Sequence, residues 1–166
     1  MKRIWSPWRI EYIRQEKPQG CIFCLKAAEN QDRKNLILYR GKLCYVMLNR
    51  YPYTNGHLMV IPYEHVDSPT KLPPETLTEM MLTMNICLQV LQKAMNPDGF
   101  NIGINLGAAA GAGIKDHLHI HIVPRWIGDT NFMPVLDDTR IIVEALDECY
   151  NQLEPLFAEY SSGSQE

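Results

Sequence analysis

The chain has 166 residues, 46% of them hydrophobic, and a formal net charge of −3 at pH 7. A chain of this length can form one domain with a sizeable core, and its composition excludes general disorder. The slightly acidic balance argues against a nucleic acid polymer as the partner, although a locally positive site can still bind a small polyphosphate. No segment approaches the roughly 20 apolar residues of a membrane span, so we expect no membrane partner.

Cysteine usage indicates a reducing compartment. The chain has five cysteines, an odd number, and its basic amino terminus is not followed by the apolar run of a secretory signal. Because disulfides are rare in reducing compartments, this pattern fits free thiols. We therefore expect a cytoplasmic protein.

The first half of the chain is predicted to contain an arm and three strands. Residues 1–20 are interpreted as an N-terminal arm that packs on the body of the protein or on a partner subunit. Residues 36–39 and 44–48 are apolar segments separated by a turn, which predicts a pair of short strands. A third strand is predicted over residues 57–62, where Pro62 ends it.

A long helix and two further strands are predicted next. Apolar residues at helical spacing predict a helix over residues 73–95, with prolines suited to its first turn. Residues 100–106 and 116–124 alternate in the manner of strands, and a flexible loop over residues 107–113 separates them.

The last part of the chain is predicted to close the domain with a helix. The Asp-Asp-Thr sequence at residues 137–139 predicts the cap of a helix that runs to about residue 157. Residues 161–166 are small and polar and predict a flexible tail, so a single domain is expected over residues 21–160. Strands that are segregated from a few helices indicate an α+β fold with a mostly antiparallel sheet.

Three histidines alternate within the strand predicted over residues 116–124. Because alternate side chains of a strand share a face, His117, His119 and His121 face one side and the intervening apolar residues face the core. Closely spaced imidazoles are not all protonated, and neutral imidazoles act as nucleophiles, bases or metal ligands. Two rival interpretations are a surface strand that happens to carry histidines and a metal site made from these three residues alone.

The loop before that strand has almost no side-chain bulk. Residues 107–113 are glycines and alanines alone. Glycines let backbone N–H groups approach and turn toward an anion. Such a loop is a weak signal by itself, but directly before three histidines on one face it predicts a phosphate-binding loop.

These features together resemble a known family. The sequence His-Leu-His-Ile-His-Ile-Val at residues 117–123 resembles the His-φ-His-φ-His-φ-φ signature of the histidine-triad family of nucleotide hydrolases and transferases. Residues 48–50 and 55–62 resemble the family's other nucleotide-contacting strand pair, and residues 123–126 resemble the usual exit from the triad strand.

The resemblance extends to the diadenosine tetraphosphate phosphorylase branch of the family through residues 5–9, 111–116 and 128–135. It implies an α+β fold in which a five-stranded antiparallel sheet packs with one long helix and a C-terminal helix. It also implies an enzyme that acts on dinucleoside polyphosphates. The resemblance also implies a homodimer in which one sheet is continuous across both subunits, so we expect a homodimer here.

The resemblance implies roles for individual residues. His119 matches the central nucleophile, which would attack an α-phosphate and form a covalent nucleotidyl-histidine. His121 matches the third histidine, which would donate to a phosphate oxygen or to the leaving group. Asn105 matches a phosphate- or nucleophile-contacting amide, and Asn49 matches a ribose-contacting position. Turn chemistry is the alternative for both asparagines.

The phosphate-binding part of the site is less well defined by the resemblance. Gly111 and Gly113 belong to the expected phosphate-binding loop. Many family members carry a Ser, Thr or Gln just before the first histidine, whereas residues 113–116 have no hydroxyl or amide side chain. Lys115 or a backbone N–H is a possible substitute, and Lys115 is equally well explained as a solvated charge. His57 has two interpretations, as a phosphate contact or as a core histidine bonded to the triad.

A Cys-x2-Cys pair lies near the start of the predicted domain. By itself the pair Cys21 and Cys24 fits a redox motif, two packed cysteines or half of a zinc site. Some bacterial histidine-triad proteins and their galactose-1-phosphate uridylyltransferase relatives resemble this chain in having two such cysteines and two histidines. That resemblance implies Zn²⁺ held by Cys21, Cys24, His65 and His117. Four protein ligands leave no position for water, so the zinc would be structural.

Three functions compete at this stage. The first is cleavage of the α–β phosphoanhydride of a dinucleoside polyphosphate, with water or phosphate as the acceptor. The second is hydrolysis of nucleoside phosphoramidates or mononucleotides. The third is a non-catalytic nucleotide-binding module, which the intact set of three histidines argues against. The base preference is left open by the sequence.

Overall fold

The structure is a computed structural model that describes residues 20–129 and 144–162. Within these ranges five strands and four α-helices confirm the predicted α+β class. The strands are β1 (Ile37–Arg40), β2 (Cys44–Leu48), β3 (Leu58–Pro62), β4 (Gly99–Ile104) and β5 (Ile120–Arg125). The helices are α1 (Ile22–Ala28), α2 (Asp32–Asn35), α3 (Pro74–Met95) and α4 (Leu146–Ser162), and short 3-10 turns cover Pro69–Lys71 and Ala108–Ala110.

The five strands form one antiparallel sheet in the order β1-β2-β3-β5-β4. Strand β5 therefore lies between β3 and β4, although it is the last strand of the sheet along the chain. Its residue His121 is opposite Met59 of β3 on one side and Gly103 of β4 on the other. This register places the end of the sheet that carries the histidines next to the loop that follows β4.

One face of the sheet packs against the two long helices. Alternate strand residues such as Val46, Val60 and Ile122 contribute to this core together with Leu91 of α3 and Phe157 of α4. All five are at most 1% exposed. Burial of a complete aliphatic or aromatic side chain contributes about 1.5–3 kcal/mol, so this layer supplies much of the driving force for folding.

The other face of the sheet is covered in part by the short helix α1. Phe23 of α1 is buried against strand residues that point away from α3 and α4, among them Tyr45, Met59 and Ile61. The Tyr45 hydroxyl donates to the Phe23 carbonyl at 3.0 Å, which fastens α1 to β2. Strand β2 is consequently buried on both faces.

The long helix α3 agrees closely with its prediction over residues 73–95. Pro74 lies in its first turn, where a missing N–H has no cost, and Glu75 follows at the positive end of the helix dipole. Asn96, in the left-handed region with φ 44°, ends the helix. None of the helices in the described ranges is both long and apolar enough to cross a membrane.

The prediction of a strand beginning at residue 116 was wrong, because β5 begins at Ile120. The residues just before it do not continue the pairing with β3, which ends at Pro62, a residue that has no N–H to donate to a ladder. The Pro62 carbonyl instead accepts a hydrogen bond from the side chain of His117 at 2.9 Å. On the other side β4 ends at Ile104, so residues 117–119 have no strand partner there.

Other differences concern the ends of the domain. The helices α1 and α2 were not predicted; both are short and have no side-chain cap that a sequence pattern would reveal. Helix α4 begins at Leu146 and continues to Ser162, past the predicted end near residue 157 and into the predicted tail. The predicted cap at residues 137–139, residues 1–19 of the arm and residues 163–166 lie outside the described residues.

Candidate active site and metal centre

The three alternating histidines do share a face, as the sequence predicted. Leu118, Ile120 and Ile122 lie in the core beneath the helices, whereas His117 and His119 contact the ring of Phe23 on the opposite face. The rings of His119 and His121 are 4.7 Å apart and nearly perpendicular. The alternation of side chains between the two faces therefore starts at His117, before β5 begins.

Hydrogen bonding fixes the tautomer of His119. Its Nδ1 lies 2.9 Å from the backbone carbonyl of His117. A carbonyl oxygen can only accept, so Nδ1 carries the proton and the Nε2 lone pair is available. Burial, which leaves this side chain 5% exposed, lowers the pKa of His119 and favours the neutral ring, although the bond to the carbonyl opposes this shift. A neutral imidazole with a free Nε2 lone pair is a nucleophile.

A second chain of hydrogen bonds fixes the tautomer of His121. The backbone N–H of Tyr53 donates to His57 Nδ1 at 3.1 Å, so the neutral His57 ring carries its proton on Nε2. That Nε2 lies 2.9 Å from His121 Nδ1 and donates to it. The proton of His121 is consequently on Nε2, on the opposite side of its ring. His121 therefore presents an N–H donor beside the nucleophile.

Burial keeps this chain neutral. His57 is completely buried, and its pKa is lowered to about 3, first by burial and then by the neighbouring His121 and His119. The pKa of His121 is lowered to about 4 by burial and by His119. At neutral pH both rings are uncharged, so each can donate from one nitrogen only.

His57 had two interpretations, as a phosphate contact or as a core histidine bonded to the triad. It shows a core histidine bonded to the triad, because His57 is fully buried behind His121. The expectation of a direct phosphate contact does not fit this position.

Asn49 has the turn chemistry that was its alternative interpretation. Its Oδ1 accepts from the Tyr51 N–H at 2.9 Å, so its Nδ2 points to His57 Nδ1, 3.4 Å away. The side chain is only partly buried, at the end of β2. In this arrangement Asn49 supports the connection that positions His57.

Asn105 and the glycine loop follow the end of β4. Gly103 is opposite His121 in the ladder, and Asn105 is two residues further along the chain. Gly111 has φ 80°, and neither Gly111 nor Gly113 has any atom within 4 Å of where a Cβ would be. Lys115 is exposed and has no ion pair among the described residues, which fits a solvated charge.

The fold brings together the four residues predicted to bind a metal. Cys21 and Cys24 at α1 meet His65, after β3, and His117, and one ligand atom from each lies within 4.8 Å of the others. His117 Nδ1 is 3.2 Å from Cys21 Sγ and 3.2 Å from His65 Nδ1.

Four of the six ligand–ligand distances in this cluster, 3.2–3.5 Å, are close to those of a tetrahedral site. A tetrahedron with metal–ligand bonds of about 2.0–2.3 Å has ligand–ligand edges of roughly 3.3–3.8 Å. The Cys24 Sγ distances to the Nδ1 atoms of His65 and His117, 3.5 Å each, fall in that range. His117 Nε2 donates to the Pro62 carbonyl, so its Nδ1 lone pair is free for a metal.

Two aromatic residues of the site were not found from the sequence. Phe23, inside the Cys-x2-Cys pair, contacts His119 with a ring separation of 5.2 Å. Tyr53 contacts His57 at 4.7 Å and His121 at 6.0 Å. The position of Phe23 between two metal ligands was a usable signal, whereas Tyr53 is brought to the site by a turn that carries no motif of its own.

Comparison with known proteins agrees with this geometry. The family model described as HIT domain matches residues 30–126. A Mycobacterium tuberculosis protein named AP-4-A phosphorylase is 35% identical over 154 residues, which cover 88% of this chain and 79% of that protein. A Schizosaccharomyces pombe protein named bis(5'-nucleosyl)-tetraphosphatase (asymmetrical) is 36% identical over 89 residues, 54% of this chain and 48% of that protein.

A solved structure agrees as well. The crystal structure of a zinc-bound histidine triad family protein from Mycobacterium smegmatis has a TM-score of 0.68 and 29% identity, and the match covers 86% of this chain and 96% of that chain. The family model spans more than half of the chain, and the matched residues include all five histidines of the two sites. This chain belongs to the HIT domain family.

Proposed function

We propose that the protein is an enzyme that cleaves the α–β phosphoanhydride of dinucleoside polyphosphates through a covalent nucleotidyl group on His119. The single observation that carries this proposal is the hydrogen bond from His119 Nδ1 to the His117 carbonyl, which leaves Nε2 as the nucleophilic atom. Relatives whose names describe action on dinucleoside polyphosphates support the choice of substrate.

The reaction takes place in two displacements. His119 Nε2 attacks the α-phosphorus, an N–P bond forms, and the bond from phosphorus to the bridging oxygen breaks. His121 donates from Nε2–H to the departing or the non-bridging oxygen as negative charge develops there. Water or inorganic phosphate then attacks the same phosphorus, the N–P bond breaks, and His119 recovers its neutral ring.

Further residues complete the proposed substrate site. Gly111 and Gly113 leave room for backbone N–H groups to contact the polyphosphate, and Asn105, which directly follows β4, is proposed to contact a phosphate or the nucleophile. Asn49 is proposed to contact the ribose, and its Oδ1 also accepts a hydrogen bond from the Tyr51 N–H in the turn. His57 is a positioning residue, because it acts through His121.

The Cys21, Cys24, His65 and His117 cluster is proposed to hold a structural Zn²⁺ ion. Two thiols and two imidazoles are a preferred zinc donor set, and four protein ligands leave no open position for water. When bound, the ion would hold α1 and the histidine segment in place. His117 then links the two sites, because its carbonyl accepts from the nucleophile.

The experiment that tests the function measures turnover of diadenosine tetraphosphate with and without inorganic phosphate. ADP plus ATP indicates phosphate as the acceptor, and AMP plus ATP indicates water. The His119→Ala variant should bind the substrate but lose turnover and lose the adenylyl mass on the protein. Wild-type turnover by that variant would exclude the covalent mechanism, and binding without any covalent species in the native protein would indicate a non-catalytic module.

A homodimer across β4 is proposed as the working assembly. Strand β4 is at the edge of the sheet, and it exposes Ile102 at 44% and Ile104 at 39% on one side, followed by Leu106 at 47%. Unpaired edge strands with apolar side chains are covered in most proteins. Sedimentation should give a dimer for the native protein and a monomer for Ile104→Asp; a native monomer would refute this assembly.

The boundaries and compartment of this unit are proposals too. Residues 21–160 are taken as one domain preceded by the arm over residues 1–20, and the tail predicted over residues 161–166 is proposed to follow the end of α4 at Ser162. The cysteines within the described residues are all free thiols, which fits a cytoplasmic location where the thiolate ligands of zinc persist.

A further inference from the structure

Two cationic side chains, Lys26 and Arg50, come from segments that border the histidine face. Lys26 is on α1 three residues after Phe23, whose ring contacts His119 at 5.2 Å. Arg50 lies two residues after the end of β2 and directly follows the residue whose side-chain amide is 3.4 Å from His57 Nδ1. We refer to these two side chains as the basic pair.

The packing of α1 on β2 brings the basic pair together. Phe23 and Met47 belong to one buried cluster, and each is followed three residues later by a member of the pair. Burial, and after it the charge of Arg50, lowers the pKa of the Lys26 ammonium, so the two cations are within electrostatic reach of each other. Lys26 is half-buried, and water therefore screens its charge only in part.

Neither cation has a counter-ion within residues 20–129 and 144–162. The ion pairs and hydrogen bonds of these ranges do not include a side-chain contact of Lys26 or Arg50. Glu29, three residues after Lys26, raises the pKa of that lysine, but its effect is smaller than the two that lower it, and its Oε2 accepts from Asn35 Nδ2 at 2.9 Å. Like charges that lie close together without a counter-ion destabilise the free protein, and a bound anion removes this cost.

We propose that the basic pair is a binding site for a phosphate group, separate from the position at which His119 attacks. The inference rests on the proposed function for the identity of the anion. That reaction has two sources of phosphate, which are the chain of the dinucleoside polyphosphate and the inorganic phosphate that is one of its two candidate acceptors. His57 and His121 are neutral at pH 7, so the basic pair supplies positive charge that these histidines do not.

The two members of the pair offer complementary contacts to a phosphate. Arg50 is exposed, and its planar guanidinium can donate to two oxygens at once. Lys26 offers a compact point charge that the fold has already removed in part from water. The protein as a whole has a net charge of −3, so such a local positive region is needed to concentrate an anion near the site.

The first arm of the test measures binding of inorganic phosphate to the native protein by calorimetry, in a buffer free of sulfate. If free phosphate is the source, Arg50→Met and Lys26→Met should each weaken its binding by about tenfold or more, because each removes a charge-assisted contact. Lys26→Arg should retain most of the affinity, because the charge is kept. Arg50 is exposed, so its replacement leaves the core packing intact.

The second arm measures diadenosine tetraphosphate and adenosine in the His119→Ala background, so that turnover does not affect the result. Adenosine has the base and the ribose but no phosphate. If the chain of the substrate is the source, Arg50→Met should weaken binding of the dinucleotide by about tenfold or more and leave that of adenosine unchanged. A loss in either arm supports the proposal and identifies the source, and a loss in both shows that one position serves both anions.

A matched control lies at the other end of β2. Lys42 is an exposed lysine two residues before the strand, whereas Arg50 is two residues after it. Lys42→Met removes the same unit of charge and should leave every affinity unchanged. The proposal is overturned by unchanged affinities for Arg50→Met and Lys26→Met in both arms, by an equal loss for adenosine, or by an equal loss for Lys42→Met.

Failure of this inference is distinguishable from failure of the proposed function. Adenylylation of His119 in the otherwise native protein tests the function, and none of the affinities above depends on that step. A protein that forms the adenylyl-histidine while Arg50→Met and Lys26→Met bind both phosphate ligands normally keeps the function and loses the phosphate site at the basic pair.

Discussion

At the scale of single residues, the chemistry depends on which ring nitrogen carries a proton. Backbone groups decide this at both ends of the histidine face: the His117 carbonyl accepts from His119, and the Tyr53 N–H donates to His57. Backbone groups cannot change their donor or acceptor character, so the two tautomers are built into the fold. The outcome is a nucleophile with a free lone pair beside an N–H donor.

Replacing His57 should disturb His121 without touching the substrate. The His57→Leu variant removes the donor to His121 Nδ1, so His121 can carry its proton on the wrong nitrogen. We expect kcat to fall by roughly 100-fold, the low end of what a positioned acid contributes, with a smaller change in KM. Steady-state kinetics measure both constants.

Nitrogen NMR of the imidazole rings gives an independent reading of the same change. In the native protein the spectrum should show His121 protonated at Nε2, and in His57→Leu a mixture of both tautomers. His57→Gln is the matched variant, because its amide N–H can still donate, and it should retain more of the rate. Equal rates for His57→Leu and the native protein would show that His121 needs no orientation.

The sequence predicted the histidines and the metal ligands but not these tautomers. The alternation of His117, His119 and His121 is visible in the sequence, and so is the Cys-x2-Cys pair. The partner of His57 Nδ1 is a backbone N–H, which every residue except proline has, so no residue type marks it. Asn49 was likewise assigned from a motif, whereas its contacts belong to a turn.

At the scale of secondary-structure elements, short segments hold the site and the sheet supports them. Helix α1 has seven residues, and an isolated helix of that length is unstable in water. Packing of Phe23 and the hydrogen bond from Tyr45 hold it on the sheet, and metal binding by Cys21 and Cys24 would hold it further. Sequence alternation predicted the facing of the histidines but not the first residue of β5. The alternation continues through residues 117–119, where Pro62 cannot pair.

Metal removal should release α1. A ligand at a concentration 1,000-fold above its Kd stabilises the folded state by about 4 kcal/mol. For a domain of this size that corresponds to a Tm difference of roughly 10 °C. We expect a chelator to lower the Tm of the native protein by about this amount and to have no effect on Cys24→Ser, whose site lacks one thiolate.

Differential scanning calorimetry with parallel zinc analysis measures this effect. Cys87→Ser is a suitable control, because Cys87 is buried in the other core layer and is not part of the metal cluster. It can lose stability, but it should still respond to the chelator. An equal Tm with and without metal in the native protein would contradict a structural role for the ion.

The connection from β2 to β3 is the other element that the site requires. Gly56 has φ 73°, and a Cβ there would be 2.7 Å from Met95 Sδ and 3.2 Å from Leu91 Cδ2. The left-handed conformation and the overpacking should together make Gly56→Ala less stable by about 2–4 kcal/mol. Urea denaturation measures this loss. Gly99→Ala, where a Cβ meets no atom within 4 Å, should change stability by less than about 1 kcal/mol.

At the scale of the whole molecule, neutral buried histidines couple folding to pH. The pKa of His57 is about 3 and that of His121 about 4 in the folded protein, mainly because both rings are buried. In the unfolded chain a histidine has a pKa near 6.5. Below that pH the unfolded chain binds more protons than the folded protein, so the free energy of unfolding decreases as the pH falls.

The expected slope can be tested one histidine at a time. Each histidine that stays neutral in the folded protein lowers the free energy of unfolding by up to about 1.4 kcal/mol for each pH unit below pH 6.5. This loss levels off near the folded pKa of that histidine. Urea denaturation at pH 6.5, 5.8 and 5.0 measures how the free energy of unfolding depends on pH. As the pH falls, this free energy should decrease less for His57→Leu than for the native protein, by up to about 1.4 kcal/mol per pH unit. The difference between the two proteins reports His57 together with its hydrogen-bonded partner His121. Parallel curves would mean that His57 is protonated in the folded protein, which would contradict the assignment of its Nδ1 as the acceptor of the Tyr53 N–H.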